Sequence, residues 1–346
     1  MASTKPITIR DVARLAGVGV GTVSRVLNGG AKVNPLTRDW ILAVIRHSGF
    51  RPNAGARRIL RRRAEMVCFI LSNRDFLHSF HARILQGVEN YASALKQHVV
   101  FAAVRYDEKT PPEEIPLPPI LQERGWVDGL ILAGTIYPNF LDRIRAVHLP
   151  YVVFGNNFIG RDGSPSFDQV CFDGTKGEFE ATQHLISHGH RTIAFVGDTS
   201  YPWMRNREKG YLRALRAAKL SPLTFTEHHG SDFRAYGEWA TARLIASAPR
   251  PVAVVAGNDE VAYGLWRTLL RSGLRVPDDV SLVGFDDREE ALLTDPPLTT
   301  VRVAKEEIGR ALMRLLLEKL HQPETRHAKR VIPTELVLRG SVKKLN

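Results

Sequence analysis

Cysteine is nearly absent. Cys68 and Cys171 are the only two in 346 residues, and two thiols build no disulfide framework. Both fall in apolar, strand-like runs, MVCFIL and QVCF, and read as buried free thiols. No run of about 18 apolar residues occurs, which argues against a membrane-spanning helix. The opening stretch MASTKPITIRDVARLAG lacks the apolar core of a secretory signal, so a cytoplasmic location is expected. No G-x-S-x-G elbow or paired catalytic motif is present, and no enzyme is expected. His188-Gly189-His190 and His228-His229 have no cysteine or carboxylate cluster at ligand spacing, so neither a metal nor a cofactor is expected. There is no short tandem repeat.

Acidic residues are missing from one end only. Residues 1–63 carry thirteen Lys or Arg but only Asp11 and Asp39 as acids, a balance of +11. The net charge of the whole chain is +12, which leaves +1 for the rest. A small basic head on a near-neutral body points to a polyanionic partner. The other reading of such a stretch is a solubilising tail, but its regular apolar spacing speaks for a folded unit. The length suits two or three domains, and 44% hydrophobic with 24% charged residues suits packed cores.

The head reads as three short helices. Thr8 suits an N-cap with Asp11 in the first turn, Ile9, Val12, Ala13 and Ala16 recur at helical spacing, and Gly17 suits a C-cap. Val20, Val23, Val26 and Leu27 mark a second helix, ending near Asn28-Gly29-Gly30. A third runs from about Pro35 to Ser48 with Ile41, Leu42, Val44 and Ile45 inward. Two helices joined by a tight glycine-containing turn make a helix-turn-helix pattern. The run Gly17-Val18-Gly19-Val20-Gly21-Thr22 imitates a phosphate-binding glycine loop. It has Thr22 where the last glycine belongs and no strand before it, so no dinucleotide site is expected.

The segments TIRDVARLAGV, TVSRVLNG and TRDWILAVIRHSGFRPN closely resemble the DNA-binding head of the lactose-repressor/galactose-repressor (LacI/GalR) family. The resemblance implies that Val20, Gly21 and Arg25 face bases, with Arg25 able to grip a guanine edge. It makes Thr8, Thr22, Ser24 and Asn28 phosphate contacts, which position the head without reading sequence. Gly19 stands where the family usually has Ser, and Gly21 leaves one base-reading position without a side chain. After Arg51-Pro52, Asn53 can cap a short helix holding Arg57, Arg58 and Ile59. This stretch resembles the family's hinge helix, which folds on DNA and wedges an apolar residue into the minor groove. Ile59 matches the wedge and Leu60 is the alternative; Arg57, Arg58 and Arg61 to Arg63 would serve phosphates. A flexible basic linker is the other reading, and the expected one without DNA.

Beyond the hinge, strand-like runs alternate with helical ones: Met66–Leu71, Val99–Val104, Gly129–Leu132 and Tyr151–Phe154, then Thr192–Val196, Val252–Ala256 and Ser281–Phe285. Helices are expected over Ala82–Leu95, Gly177–His188, Arg207–Ala218, Tyr236–Ser247 and Ala262–Ser272. Alternation of this kind predicts parallel sheets with helices on both faces, and two sets predict two lobes. The proline-rich residues 106–119 read as a surface loop.

VDGLILAG, HLISHGHRTIAFVG, NREKGYLRAL, VVAGNDEVAYG, SGLRVPDDVSLVGFDD and PPLTTVRV look like landmarks of the same family's periplasmic-binding-protein-like sensor. In that fold the chain crosses between lobes three times, and the ligand sits between them at the strand ends. The resemblance implies an effector site of Phe80, His81, Trp203, Arg207, Phe233, Asn258 and Asp286. The other reading of Asn258 and Asp286 is loop or helix capping, and that of Trp203 and Phe233 is ordinary core packing. Gly155 stands where the family often has Asp or Asn, so the ligand does not carry over; a sugar or sugar derivative is expected, with a purine-like ligand as the alternative.

The expected architecture is therefore an all-α helix-turn-helix head over 1–52, a hinge over 53–64, and an α/β two-lobed, doubly wound sensor with parallel sheets over 65–341. Its first lobe is expected over about 65–168 and 299–328, and its second over about 169–298 and 329–341. The expected function is a homodimeric transcriptional regulator, a repressor by type, that binds a pseudo-palindromic double-stranded DNA operator under the control of a small-molecule effector. The absence of a leucine-heptad tail favours a dimer over a tetramer. Rival readings are a solute-binding receptor, a carbohydrate-active enzyme using the same cleft, and a non-specific nucleoid protein.

Overall fold

A computed structural model of the chain describes residues 7–27, 33–50, 64–75, 79–123, 125–160, 167–228, 230, 232–247, 252–322 and 327–345. It divides into two units, Met1–Ala64 and Glu65–Asn346.

The first unit is helical: α1 Ile9–Ala16, α2 Val20–Leu27 and α3 Pro35–Ser48. Thr8 opens α1 with a capping box. Its hydroxyl accepts from the Asp11 amide, and the Asp11 carboxylate accepts from the Thr8 amide at 3.0 Å. These Thr8 hydrogen bonds hold the Asp11 carboxyl below its ordinary range. Gly17 closes α1 in the left-handed region at φ 67°, and the Val18 amide reaches back to the Ala13 carbonyl at 3.0 Å. Val12, Ala13, Ala16, Val23, Val26, Ile41, Val44 and Phe50 form the core of the unit. Leu15, off the buried stripe of α1, is 55% exposed.

The second unit holds two six-stranded sheets. In chain order its first part runs β1 Met66–Ser72, α4 Ser79–Ala94, β2 His98–Val104, β3 Gly129–Gly134, α5 Pro138–Arg145, β4 Tyr151–Phe154 and β5 Asp168–Phe172. It continues α6 Gly174–Ser187, β6 Ile193–Val196, α7 Pro202–Ala218, β7 Leu223–Phe225, α8 Phe233–Ser247, β8 Val252–Ala256, α9 Asp259–Arg271 and β9 Val280–Asp286. It ends with β10 Thr299–Val303, α10 Lys305–His321, β11 Lys329–Ile332 and β12 Thr334–Val337. The sheet orders are β11-β5-β4-β3-β1-β2 and β12-β10-β9-β8-β6-β7. All pairings are parallel except β10 with β12. Residues 67–72 and all of β3, β5, β6 and β9 are buried, as strands covered on both faces must be.

Each sheet reverses its strand order once, between β1 and β3 and between β6 and β8. Loops leaving the carboxyl ends of such strands part in opposite directions and leave a crevice. The helices that flank the crevice pack closely. A Cβ on Gly87 of α4 would overlap the Glu306 carbonyl of α10, and one on Gly309 of α10 would overlap the Ile84 carbonyl of α4. Glycine at both points lets the two backbones touch.

Three crossings join the lobes, but each comes later than the expected 168/169, 298/299 and 328/329. Strand β5 pairs with β4, so Asp168–Phe172 belongs to the first lobe. Strand β10 pairs with β9, so Thr299–Val303 belongs to the second. Strand β11 pairs with β5, so Lys329–Ile332 belongs to the first. Each boundary shifts because a strand must finish in its own sheet before the chain can leave it.

Candidate functional site

The crevice between the lobes is lined by Arg74, Phe80, His81, Asn157, Phe172, Trp203, Arg207, Phe233, Asn258 and Asp286. All seven residues expected at the effector site are in this group. Topology explains the convergence. Arg74 follows β1, Asn157 follows β4, Phe172 ends β5, Asn258 follows β8 and Asp286 ends β9. Phe80 and His81 open α4, Trp203 and Arg207 lie in the first turns of α7, and Phe233 opens α8. Every group therefore comes from a strand's carboxyl end or the helix start that follows it.

At the centre, Arg207 donates from Nη2 to Asp286 Oδ1 at 3.0 Å and from Nη1 to the Gly257 carbonyl. Its guanidinium lies 3.8 Å from the Phe285 ring centroid. Arg207 is 3% exposed and Asp286 7%. Asp286 sits at φ 114° and Asp287 at φ 49°, values that a non-glycine residue adopts only where its surroundings enforce them. Asn258 does cap: its Oδ1 accepts from the Val261 amide at 2.8 Å, yet the residue still borders the cleft. Trp203 and Phe233 are likewise both core and lining.

On the first-lobe side, Asn157 Nδ2 lies 3.3 Å from His81 Nε2. Phe80, Phe154, Phe172 and Phe285 follow one another at centroid spacings of 6.0, 6.1 and 6.0 Å, a run of rings from one lobe to the other. Asn156 hydrogen-bonds the Phe172 backbone through both amide atoms, at 3.0 and 2.8 Å, so it pins β5. A Cβ at Gly155 would meet Gln169 Oε1, the end of a side chain that could turn aside.

Beneath the pair lie two buried carboxyls. Both oxygens of Glu178 lack hydrogen bonds among the described residues. Burial pushes its pKa up to about 8; the Arg207 charge pulls the other way and Asp286 adds to the rise. Burial likewise pushes Asp259 up to about 7, with Asp286 adding, although the Thr300 hydroxyl donates to it at 2.6 Å.

Three lining residues were not among the expected ones: Arg74, Asn157 and Phe172. Arg74 is the first charge beyond the β1 run, which by itself is no sign of a site. Phe172 ended a run that had been read only for its thiol, and Asn157 follows a short strand.

In the head, Val20 is 41% exposed, Gly21 and Arg25 are exposed, and Val23 and Val26 are buried on the opposite face of α2. Arg25 Nε donates to the Gly21 carbonyl at 3.2 Å, lying along the open face. Thr8 and Asp11 are held in the capping box, while Thr22 and Ser24 are half-buried. Asn28, Asn53, Arg57, Arg58, Ile59 and Leu60 fall outside the described residues.

Residues 8–53 match the model for bacterial regulatory proteins, lacI family, and residues 182–342 match that for a periplasmic binding protein-like domain. The ribose operon repressor of Haemophilus influenzae is 30% identical over 97% of this chain and 98% of its own. This chain belongs to the lacI family. The LacI-family assignment agrees with solved structures. The Lac repressor dimer bound to operator and the anti-inducer ONPF matches at 25% identity with a TM-score of 0.81, covering 98% of this chain and 100% of that one. The complex of the transcriptional regulator CelR with cellobiose matches at 31% identity and 0.67, covering 97% and 99%. As a LacI-family member the protein is a DNA-binding transcriptional regulator and not an enzyme, which sets aside the receptor and carbohydrate-enzyme readings. No described helix is long and apolar enough to cross a membrane.

Proposed function

We propose that this chain is a cytoplasmic, homodimeric repressor that releases or grips a pseudo-palindromic operator according to a sugar or sugar derivative held between its lobes. The observation that carries the reading is the buried Arg207–Asp286 pair set among aromatic rings at the strand carboxyl ends. Guanidinium donors and a carboxylate acceptor suit sugar hydroxyls, and the rings suit the apolar face of a pyranose or furanose. The ribose and cellobiose in the names of its relatives support the same class.

In the head, Val20, Gly21 and Arg25 would face base edges, with Thr8, Thr22 and Ser24 on phosphates. The hinge residues Asn53, Arg57, Arg58 and Ile59 would enter the minor groove. Two-fold symmetry of the dimer sets two half-sites in the operator. The cavity among these residues is about 40 Å³, room for a few waters, and a sugar would need it to widen.

The test is selection of a bound sequence from random duplexes, followed by titration of that operator with and without a sugar panel. Preference for a two-fold sequence, with affinity shifted about 5–150-fold by one sugar, is expected. Equal binding to scrambled DNA at moderate salt overturns it in favour of a non-specific DNA coat.

A further inference from the structure

Among the described residues two guanidiniums line the cleft, and one of them has a counter-charge. Arg207 is matched by Asp286. Arg74 reaches from the end of β1 to the second lobe, where its guanidinium lies 5.3 Å from the Trp203 ring centroid and 5.8 Å from that of Phe233. Its Nε is fully buried without a hydrogen bond, and no carboxylate lies within ion-pair distance of it among the described residues. The acids whose fields reach it are committed elsewhere. Glu260 is paired with Arg288 at 2.7 Å, and Asp286 with Arg207. Glu178, deeper in, is held toward its neutral form. The lining of the cleft therefore carries one uncompensated positive charge.

A half-buried cation without an ion-pair partner loses part of its hydration, and ring faces compensate it only in part. The guanidinium also covers the aromatic faces on which a sugar ring would stack. A neutral sugar would have to displace it and could offer hydroxyl oxygens as acceptors, but no charge. An anionic group accepts two parallel N–H bonds from such a fork and supplies the missing charge.

We infer that the effector is an acidic sugar, bearing a carboxylate or a phosphate, and that Arg74 is the residue that selects the charge. The inference rests on the sugar-sensing reading above. It makes Arg74 the site of specificity, while Arg207, Asp286 and Asn258 read hydroxyls common to charged and neutral sugars alike.

The experiment is titration calorimetry on the full-length protein with matched sets: glucose, gluconate and glucose 6-phosphate; galactose and galacturonate; ribose and ribose 5-phosphate. A charged member is expected to bind about 10–100-fold more tightly than its neutral parent. Whether carboxylates or phosphates give the larger ratio identifies the anion. Arg74→Gln should bring that ratio down to a few-fold, and Arg74→Lys, which keeps the charge but not the fork, should retain part of it. A neutral sugar binding as tightly as its acid, or a ratio unchanged in a folded Arg74→Gln, overturns the inference and leaves the sugar reading standing. A panel in which no member binds overturns both.

Discussion

The Lys305 ammonium donates to the backbone carbonyl of Asp286 at 2.5 Å, and to that of Asp287 at 3.0 Å. Lys305 opens α10, which packs on α4 in the first lobe, whereas Asp286 ends β9 in the second. The residue that pairs with Arg207 in the cleft is thus tied directly to the opposite lobe. Lys305→Met should remove these charge-assisted bonds and cost about 2–3 kcal/mol in urea unfolding. The ratio of operator affinities with and without effector should shrink with it. An unchanged ratio would show that the lobes are coupled by other contacts, such as Arg83 with Glu289 at 2.7 Å.

Arg207→Ala should leave Asp286 as a buried, unpaired carboxylate. Loss of one partner of such a pair costs about 3–5 kcal/mol, so a lower melting temperature is expected together with loss of the effector response. Asp286→Asn, which keeps the shape without the charge, should cost less. If a folded Arg207→Ala protein still answers the effector, Arg207 has no place in the site.

Glu178 should give the protein a pH dependence. Its ordinary pKa is 4.5, and burial raises it in the folded chain to about 8. Below the ordinary value both folded and unfolded chains carry the proton, so nothing changes. Between the two values only the folded chain keeps it, and stability falls as pH rises. Above about 8 the fall levels off. Melting temperatures measured from about pH 5 to 8 should fall in the parent and change less in Glu178→Gln. Equal slopes would assign the titration to another group, Asp259 being the first to examine.

Arg25→Ala should relax the base preference of the head, costing about 1–3 kcal/mol on the preferred operator and much less on non-specific duplex. The comparison is made at one salt concentration, because phosphate contacts weaken together as salt rises. A selection profile indistinguishable from the parent's would move base reading away from this side chain.

Gly21 lies on the exposed face of α2, and a Cβ there meets no heavy atom within 4 Å. Gly21→Ala should therefore stabilise the head, by up to about 1 kcal/mol, since glycine is the poorer helix former. Selection would report whether the added methyl alters the base preference. A drop in stability would mean that α2 needs the bare backbone at this position.

Much of this molecule was legible before its structure. The helices of the head were placed almost to the residue, because Thr8, Gly17, Pro35 and Gly49 are strong local signals of where a helix begins or ends. In the sensor every strand that was expected is present, yet the helix starts were set late. Periodicity registers only when the first apolar residues line up, whereas α7 begins at Pro202 and α9 directly after its cap Asn258. Those first turns are where Trp203 and Phe233 face the cleft, so resemblance identified them while apolar pattern did not. Arg74 escaped both routes. A lone arginine after a strand is common, and only the fold shows two aromatic faces waiting on the other side.

The chain passes between the lobes beside Asp173, Ala304 and Pro333, next to strands that are neighbours in their sheets. One tether would let two bodies swivel freely, and two would still permit rocking about the line joining them. Three side by side leave little beyond a single bending motion, like the spine of a book. Any molecule wedged between the pages can change only how far they stand apart. Its chemical identity therefore reaches the rest of the protein as one number, an angle.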